Sequence, residues 1–442
     1  MAFGAMEIVL LLLLGSGNPF ELVSAIDVDD YFKSRQVEVK TDKMIALATT
    51  APKTGKDQIM QLLAIRWLST SADKNQAAVK TALADVAAGK KGKDPLGFAE
   101  EHAQIALDRI AGKPTARAVP RNSVRSEALQ WFPEKSNFFA VLDSRHAEGS
   151  SPLLDQATLR ARFVLAMPLE ARKEIYDQAD KLGNVRLDRI AFAYQPEMAA
   201  ERGKDRLYFR FTGKADPQRL ADLLKQLNPD HQLQEKKGEG GEAIRILSAP
   251  GKPPAFAFIG TGDLVMAGFN DNKEDHLAVL EEVLATRKQG KSVVNAFANR
   301  LRKVPADASV LLMGDVNEQL QRSFERSPLP ASPKTVYLFA TLGKNVTLNM
   351  GGDMPDADAA KGTTKVVDEF KQNALQLVKV FAQRYNMPDE HTKAVLAAVE
   401  TIKREADGTA VSASIEFSPA ALKAVREVAE EALKQFAPSG SK

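Results

Sequence analysis

The sequence predicts a multidomain α+β protein in which a short all-α stretch precedes two related mixed halves. Three observations carry that class. Apolar residues recur at helical spacing between 41 and 113, alternating strand patterns begin near Asn137, and one order of elements appears twice, from about Trp131 and again from about Val304. At 442 residues the chain is too long for one ordinary core. Its 44% apolar and 26% charged residues are those of a globular protein rather than a disordered one.

Charge and cysteine content narrow the chemistry. The net charge of +3 gives no global argument for specific nucleic-acid binding. There is no cysteine, which removes disulfides, thiolate metal sites and a cysteine nucleophile. The five histidines, His102, His146, His231, His276 and His391, are never paired at metal-ligand spacing.

Residues 1–25 form an apolar N-terminal segment. Ile8 to Leu14 is too short to span a bilayer but has the length of a signal-peptide hydrophobic region, and Val23-Ser24-Ala25 offers small residues for cleavage. No Lys or Arg precedes the run, so its alternative is an N-terminal helix packed on the body. The expectation is export, with periplasm or envelope ahead of cytoplasm. Residues 6–14 are a candidate for peripheral membrane association.

Residues 41–113 read as helices. Val79, Ala82, Leu83 and Val86 recur at one face, as do Ala103, Ala106, Leu107 and Ile110, with Asp73 and Asp94-Pro95 as starts and Gly89 and Gly112 as stops. Ala64-Ile65-Arg66-Trp67-Leu68 and Ala106-Leu107-Asp108-Arg109-Ile110 lie 42 residues apart, and DPLGFAEEHAQIALDRIAGK has the pattern of a second repeat helix. This stretch resembles a HEAT-repeat module. The resemblance implies an α-solenoid-like interaction surface. Being shorter than three repeats, it needs a neighbour or residues 20–40 to pack against. Residues 114–130, basic and rich in breakers, read as a linker.

The mixed halves are placed at 131–303 and 304–437. The first runs through a strand at 137–142, helix at 155–182, strands at 187–195 and 205–213, helix at 217–227, four strands at 231–236, 243–248, 255–259 and 263–268, and a helix at 273–288. The second has a strand at 309–316, a helix near 317–325, strands at 334–342 and 345–352, helices at 356–385 and 389–405, a strand at 409–417 and a last helix to about Phe436. Each opens β-α-β-β-α-β, which predicts two ferredoxin-like, split-order halves.

The functional patterns in the sequence are outweighed by their structural roles. Gly238-Glu239-Gly240-Gly241-Glu242-Ala243 fits G-x-G-x-x-A, but strands on both sides make it a hairpin loop. Gly260-Thr261-Gly262-Asp263 likewise reads as a tight turn. Ser71-Ala72-Asp73-Lys74 and Lys53-Thr54-Gly55 match serine acyl-transferase triplets in the wrong order and without their third element. Asp27, Asp29 and Asp30, and Asp353, Asp356 and Asp358, are acidic clusters without the frame of a calcium loop; helix capping accounts for the second. Tyr208, Phe209 and Phe211 break strict alternation, so some face a covering helix or a groove.

No catalytic, cofactor-binding or metal-ligating residue is named on this basis, and no cofactor is expected. The expected function is a non-catalytic protein-interaction or scaffold protein with an unidentified protein partner. The alternative is a hydrolase-type enzyme whose Asp, Glu and His residues converge only on folding.

Overall fold

The computed structural model describes residues 20–113, 123–143, 169–196, 205–238, 242–269, 275–343, 345–384, 387–425 and 427. They form an α+β protein of two compact units. The first takes residues up to 119, 155–190 and 199–284, and the second takes 120–154, 191–198 and 285 onward. These units cut across the boundary expected at 303/304, because the strand near 137 and the short helices near 293–301 pack with the second unit. The expectations for residues 6–14, most of 1–25, 114–122, 155–168 and the end of the last helix fall outside the described residues.

In the first unit, β1 (Phe20–Glu21) and α1 (Val28–Ser34) lead into α2 (Thr41–Thr49), α3 (Gly55–Thr70), α4 (Ala77–Ala87) and α5 (Phe98–Ile110). These last four make two hairpins, α2/α3 and α4/α5, stacked so that α2 meets α4 and α3 meets α5. A hairpin pair this short leaves apolar surface uncovered. Residues 20–26, α1 and α6 (Leu169–Leu182) cover it: Val23, Ile26, Tyr31, Phe32, Ile175 and Tyr176 join its core.

Helix α3 lies at the centre. Ten of its sixteen residues are buried, polar Gln58 and Gln61 among them. Buried amides cost free energy unless bonded; both Nε2 groups and Gln58 Oε1 are bonded, while Gln61 Oε1 is buried without a partner. Gln61 Nε2 donates to the carbonyls of Ala48 (3.1 Å) and Gly92 (2.6 Å), and Gln58 joins Asp94 (2.9 Å) to the backbone N–H of Asn184 (2.9 Å). Gly55 opens α3 because a Cβ there would lie 2.5 Å from the Asp180 carbonyl and 2.6 Å from the Gly183 nitrogen.

The sheet of this unit uses β3 (Arg186–Gln195, its residues to Ile190), β4 (Arg206–Lys214), β5 (Gln232–Lys237), β6 (Ala243–Ala249), β7 (Lys252–Ile259) and β8 (Asp263–Phe269). Their order is β3-β4-β8-β7-β6-β5, and β1 pairs antiparallel with β3. Between β4 and β5 runs α7 (Pro217–Leu227), with Asp216 as N-cap and Pro217 at its first turn. After β8 comes α8 (His276–Gln289), whose Glu281 reaches Lys236 (2.8 Å) and whose Glu282 bonds Arg206.

The second unit holds β2 (Phe138–Asp143), the short helices α9 (Val293–Ala296) and α10 (Ala298–Leu301), β9 (Val310–Asp315) and α11 (Glu318–Phe324). It continues with β10 (Thr335–Leu342), β11 (Val346–Asp353), α12 (Ala357–Arg384), α13 (Asp389–Glu400), β12 (Lys403–Asp407) and β13 (Ala410–Phe417). Its sheet runs β12-β13-β11-β10-β9-β2. Phe139 meets Phe297 edge-on at 5.0 Å, which fixes α9 and α10 against one face.

Two expectations are corrected here. The β-α-β-β-α-β order is present, but the split pairing is not. A split unit separates its first two strands, whereas β9 lies beside β10, antiparallel, with Leu311 opposite Phe339. The short 316–334 connection reaches only the neighbouring position, so sequential strands pair. In the first half, β5 likewise pairs β6 at a sheet edge. The helix expected over 389–405 stops at Glu400. Lys403–Asp407 is an edge strand turning into β13 through Gly408, at φ +57°. Its charged sequence looks helical, but exposed charge is also what protects a sheet edge.

Candidate functional site

The strongest candidate is an apolar pocket in the first unit. It starts from strand alternation. On β4, Phe209 and Phe211 project to one face and stack at 6.2 Å. Across the ladder Phe209 pairs with Met266 and Phe211 with Leu264, and these pair onward with Phe256 and Phe258 on β7. Six large apolar residues therefore share one sheet face. Leu224 of α7 packs on Phe256, Phe258 and Leu247 in a buried cluster, and Leu220 packs against that cluster.

The coverage is incomplete. Between this sheet face, Leu220 and Leu224 of α7, and Ile175 and Leu182 of α6, a cavity of about 140 Å³ remains. The pocket is partly open to solvent, so apolar surface of the sheet and of both helices stays uncovered there. A benzene-sized group fits such a space.

Charge is confined to the pocket's edge. Arg186 and Lys214 line it and converge on Glu101, while Arg186 also meets Asp188 at 2.9 Å. The Phe98 ring lies 5.8 Å from the Arg186 guanidinium and 5.1 Å from Lys214 Nζ. Burial pushes the Glu101 carboxyl up, but the Lys214 hydrogen bond and the Arg186 charge outweigh it and hold the group below its ordinary value. Asp263, also at the wall, is held by Arg210 (3.0 Å) and Thr212 (2.9 Å). The Gln178 side chain lines the same pocket, and its buried Oε1 has no hydrogen-bond partner.

Two wider clefts lie elsewhere. One of about 400 Å³ in the second unit is polar, bordered by Ser136, Asn137 and Arg300; one of about 490 Å³ in the first has a mixed lining that includes Gln232, Asp275, Pro250 and Leu277.

The residues weighed in the sequence fall into structural roles. Thr54 and Asp57 form a capping box at the start of α3, so Lys53-Thr54-Gly55 is a helix start. Ser71 ends the same helix. Asp27 caps α1 through Asp30 N–H (2.9 Å), and Asp30 accepts from Tyr176 Oη (2.8 Å) and Arg172. Asp356 accepts from Ala359 N–H (2.7 Å), and Asp353 from Thr335 Oγ1 (2.8 Å). Among the described residues no group of three or more His, Asp or Glu is placed to hold a metal. Lys237 pairs with Ala243 across a β-hairpin, as the glycine-rich 238–243 stretch requires, and Ile259 pairs with Asp263 across the next turn.

His102 sits against the buried Glu21 carboxylate at 2.9 Å. His231 is buried with Nε2 2.9 Å from the Pro254 carbonyl. His391 lies between Glu390 (3.6 Å) and Glu427 (3.4 Å), its side chain only 12% exposed. Tyr208 is fully buried, and burial together with Glu282 pushes its hydroxyl pKa up. Of the aromatic trio, Phe211 alone lines the pocket. Sequence reasoning missed the pocket as such, because its walls come from residues between Leu22 and Met266; the consecutive aromatics of β4 were the only local signal.

The displaced carboxyl groups lean one way. Asp57, Glu101, Asp230 and Asp368 are all held below their ordinary values. Opposing burial in Asp57 and Glu101 is outweighed by hydrogen bonds and cations, and Lys252 and Arg404 act on Asp230 and Asp368. A general acid working near neutral pH needs the opposite displacement.

No family model matches the chain, and no curated protein does. Among solved structures, crystal form III of TP0453 matches with a TM-score of 0.34 and 9% identity, covering 71% of this chain and 99% of that one. Crystal form I of TP0453 matches with a TM-score of 0.35, 8% identity and the same coverage. Likeness at this level carries no argument about what the chain does.

Proposed function

We propose that the chain is a non-catalytic interaction protein and that the apolar pocket of the first unit is where it grips a protein partner. The observation that carries this is the unfilled cavity of about 140 Å³ bounded by Phe211, Phe256, Phe258, Leu264 and Met266 of the sheet and by α6 and α7. Its size suits one phenylalanyl or leucyl side chain, the kind of buried anchor that dominates interface energetics. The charged edge of Arg186, Lys214 and Glu101 supplies the polar rim that such an interface has around its anchor. The stacked hairpins of α2–α5, with their resemblance to a HEAT-repeat module, support the same class of function. Action in the cell envelope remains part of this proposal through the apolar run 8–14.

Benzene is the probe for the anchor side chain. Titrated into the full chain, it should give saturable NMR shifts at Phe211 and Leu224 and raise the melting temperature. The variant Leu220→Trp, which fills the space, should abolish both effects while remaining folded. Shifts that do not saturate, or that survive the filling variant, would contradict the proposal.

A further inference from the structure

Helix α12 carries a second apolar face that no described residue covers. Its inner side is in place: Ala359, Ala360, Thr363, Thr364 and Ala382 are buried, and Lys371 Nζ donates to the Glu400 (2.7 Å) and Ile402 (3.0 Å) carbonyls. On another side Phe370, Leu377 and Val380 are 62%, 55% and 59% exposed. Scattered exposed apolar residues need no explanation, but a continuous stripe does.

The spacing of this stripe defines what it fits. Val366, Phe370, Asn373, Leu377, Val380 and Arg384 follow steps of four, three, four, three and four. Alternating steps of that kind are the 3.5-residue repeat of a helix-to-helix seam, narrower than the face of a helix lying on a broad apolar surface. Asn373 sits within the seam. A single polar residue at such a position costs stability but fixes register in a helix-to-helix seam.

We propose that α12 is a self-association surface, on which the same helix of a second copy packs antiparallel about a two-fold axis near Leu375. In that register Phe370 meets Val380 of the second copy, and Asn373 meets Leu377. Glu369 falls opposite Gln383, and Gln376 opposite itself, so no like charges oppose. A two-fold interface requires such self-complementarity.

The contact is a modest one. From Val366 to Arg384 the seam is about 27 Å long at 1.5 Å per residue. Two such helices in register bury on the order of 1,000 Å², close to the least a specific interface needs. The association is therefore weak and concentration-dependent.

The absence of cysteine from the sequence makes the test clean. Sedimentation velocity of the full chain across about 1–200 µM, a range suited to micromolar association, should show a monomer–dimer equilibrium that Leu377→Asp abolishes without lowering the melting temperature of the dilute monomer. Gln376→Cys should form a disulfide-linked dimer on mild oxidation, and Lys365→Cys, on another side of the helix, should not. A monomer throughout that range, or a dimer indifferent to Leu377→Asp, overturns the proposal. So does flotation of the monomer with phosphatidylglycerol vesicles that Leu377→Asp abolishes, or stripe protection in the monomer lost on truncating residues 428–442; these name a lipid surface or the chain's own C-terminal segment as the occupant.

Discussion

The central helix of the first unit and the long helix of the second use apolar residues in opposite ways. Ten of the sixteen residues of α3 are buried, while α12 buries five of twenty-eight and leaves Phe370, Leu377 and Val380 more than half exposed. Helix α3 is apolar nearly all round because other elements surround it. Helix α12 is strongly two-sided, and part of its apolar residues face away from its own sheet. The same difference separates the units' chemistry: the first encloses an apolar space, and the second displays an apolar seam.

That contrast is broken or sharpened first at the N-terminal edge of the first core. Glu21 accepts from Asn184 Nδ2 (2.5 Å) and faces His102, and Val23 N–H donates to Asn184 Oδ1 (3.1 Å), all in the interior. Removing residues 1–25 should therefore cost about 3–5 kcal/mol in urea unfolding. Cleavage after Ala25 would make that cut. If the run 8–14 is removed in the cell, intact-mass analysis should find the mature chain beginning before Phe20.

A paired substitution tests the helices directly. Leu63→Ala in α3 opens a cavity at a fully buried site and should cost about 2–5 kcal/mol. Leu377→Ala in α12 should stay within about 0.5 kcal/mol. Equal losses in denaturant unfolding would dissolve the distinction. A smaller effect is expected at Gly55→Ala, where the new methyl meets backbone at 2.5 Å; about 1–3 kcal/mol should be lost.

The smallest effect concerns Glu101. Its carboxyl pKa is depressed in the folded chain, so its contribution is present above the unfolded value near 4.3 and is lost as pH falls through the folded value. With its side chain 36% exposed, solvent screening keeps the contribution below about 1 kcal/mol. Glu101→Gln should lower the melting temperature at neutral pH, and the difference should close in acid. A difference that widens in acid would contradict the assignment.

Much of the fold was legible along the chain. Helix α7 matches its expected span of 217–227, fixed by Asp216-Pro217, and most strands fall within a few residues of their alternating patterns. What was not legible depends on distant partners. Charged Lys403–Asp407 looks helical until β13 supplies a ladder, and β9 shows no mark of whether it lies beside β10 or apart from it. The helix expected over 356–385 gave no sign that it carries one apolar side toward its sheet and another outward. The pocket was illegible for the same reason: Phe211, Leu220 and Ile175 meet only after folding.

The central claim is that the first unit keeps an open apolar pocket, and xenon tests it most directly. In crystals of the full chain under xenon pressure, the account predicts a xenon atom bounded by Phe211, Leu220 and Met266, absent in Leu220→Trp. Xenon excluded from this position, with the neighbouring side chains closed over the space, would contradict it.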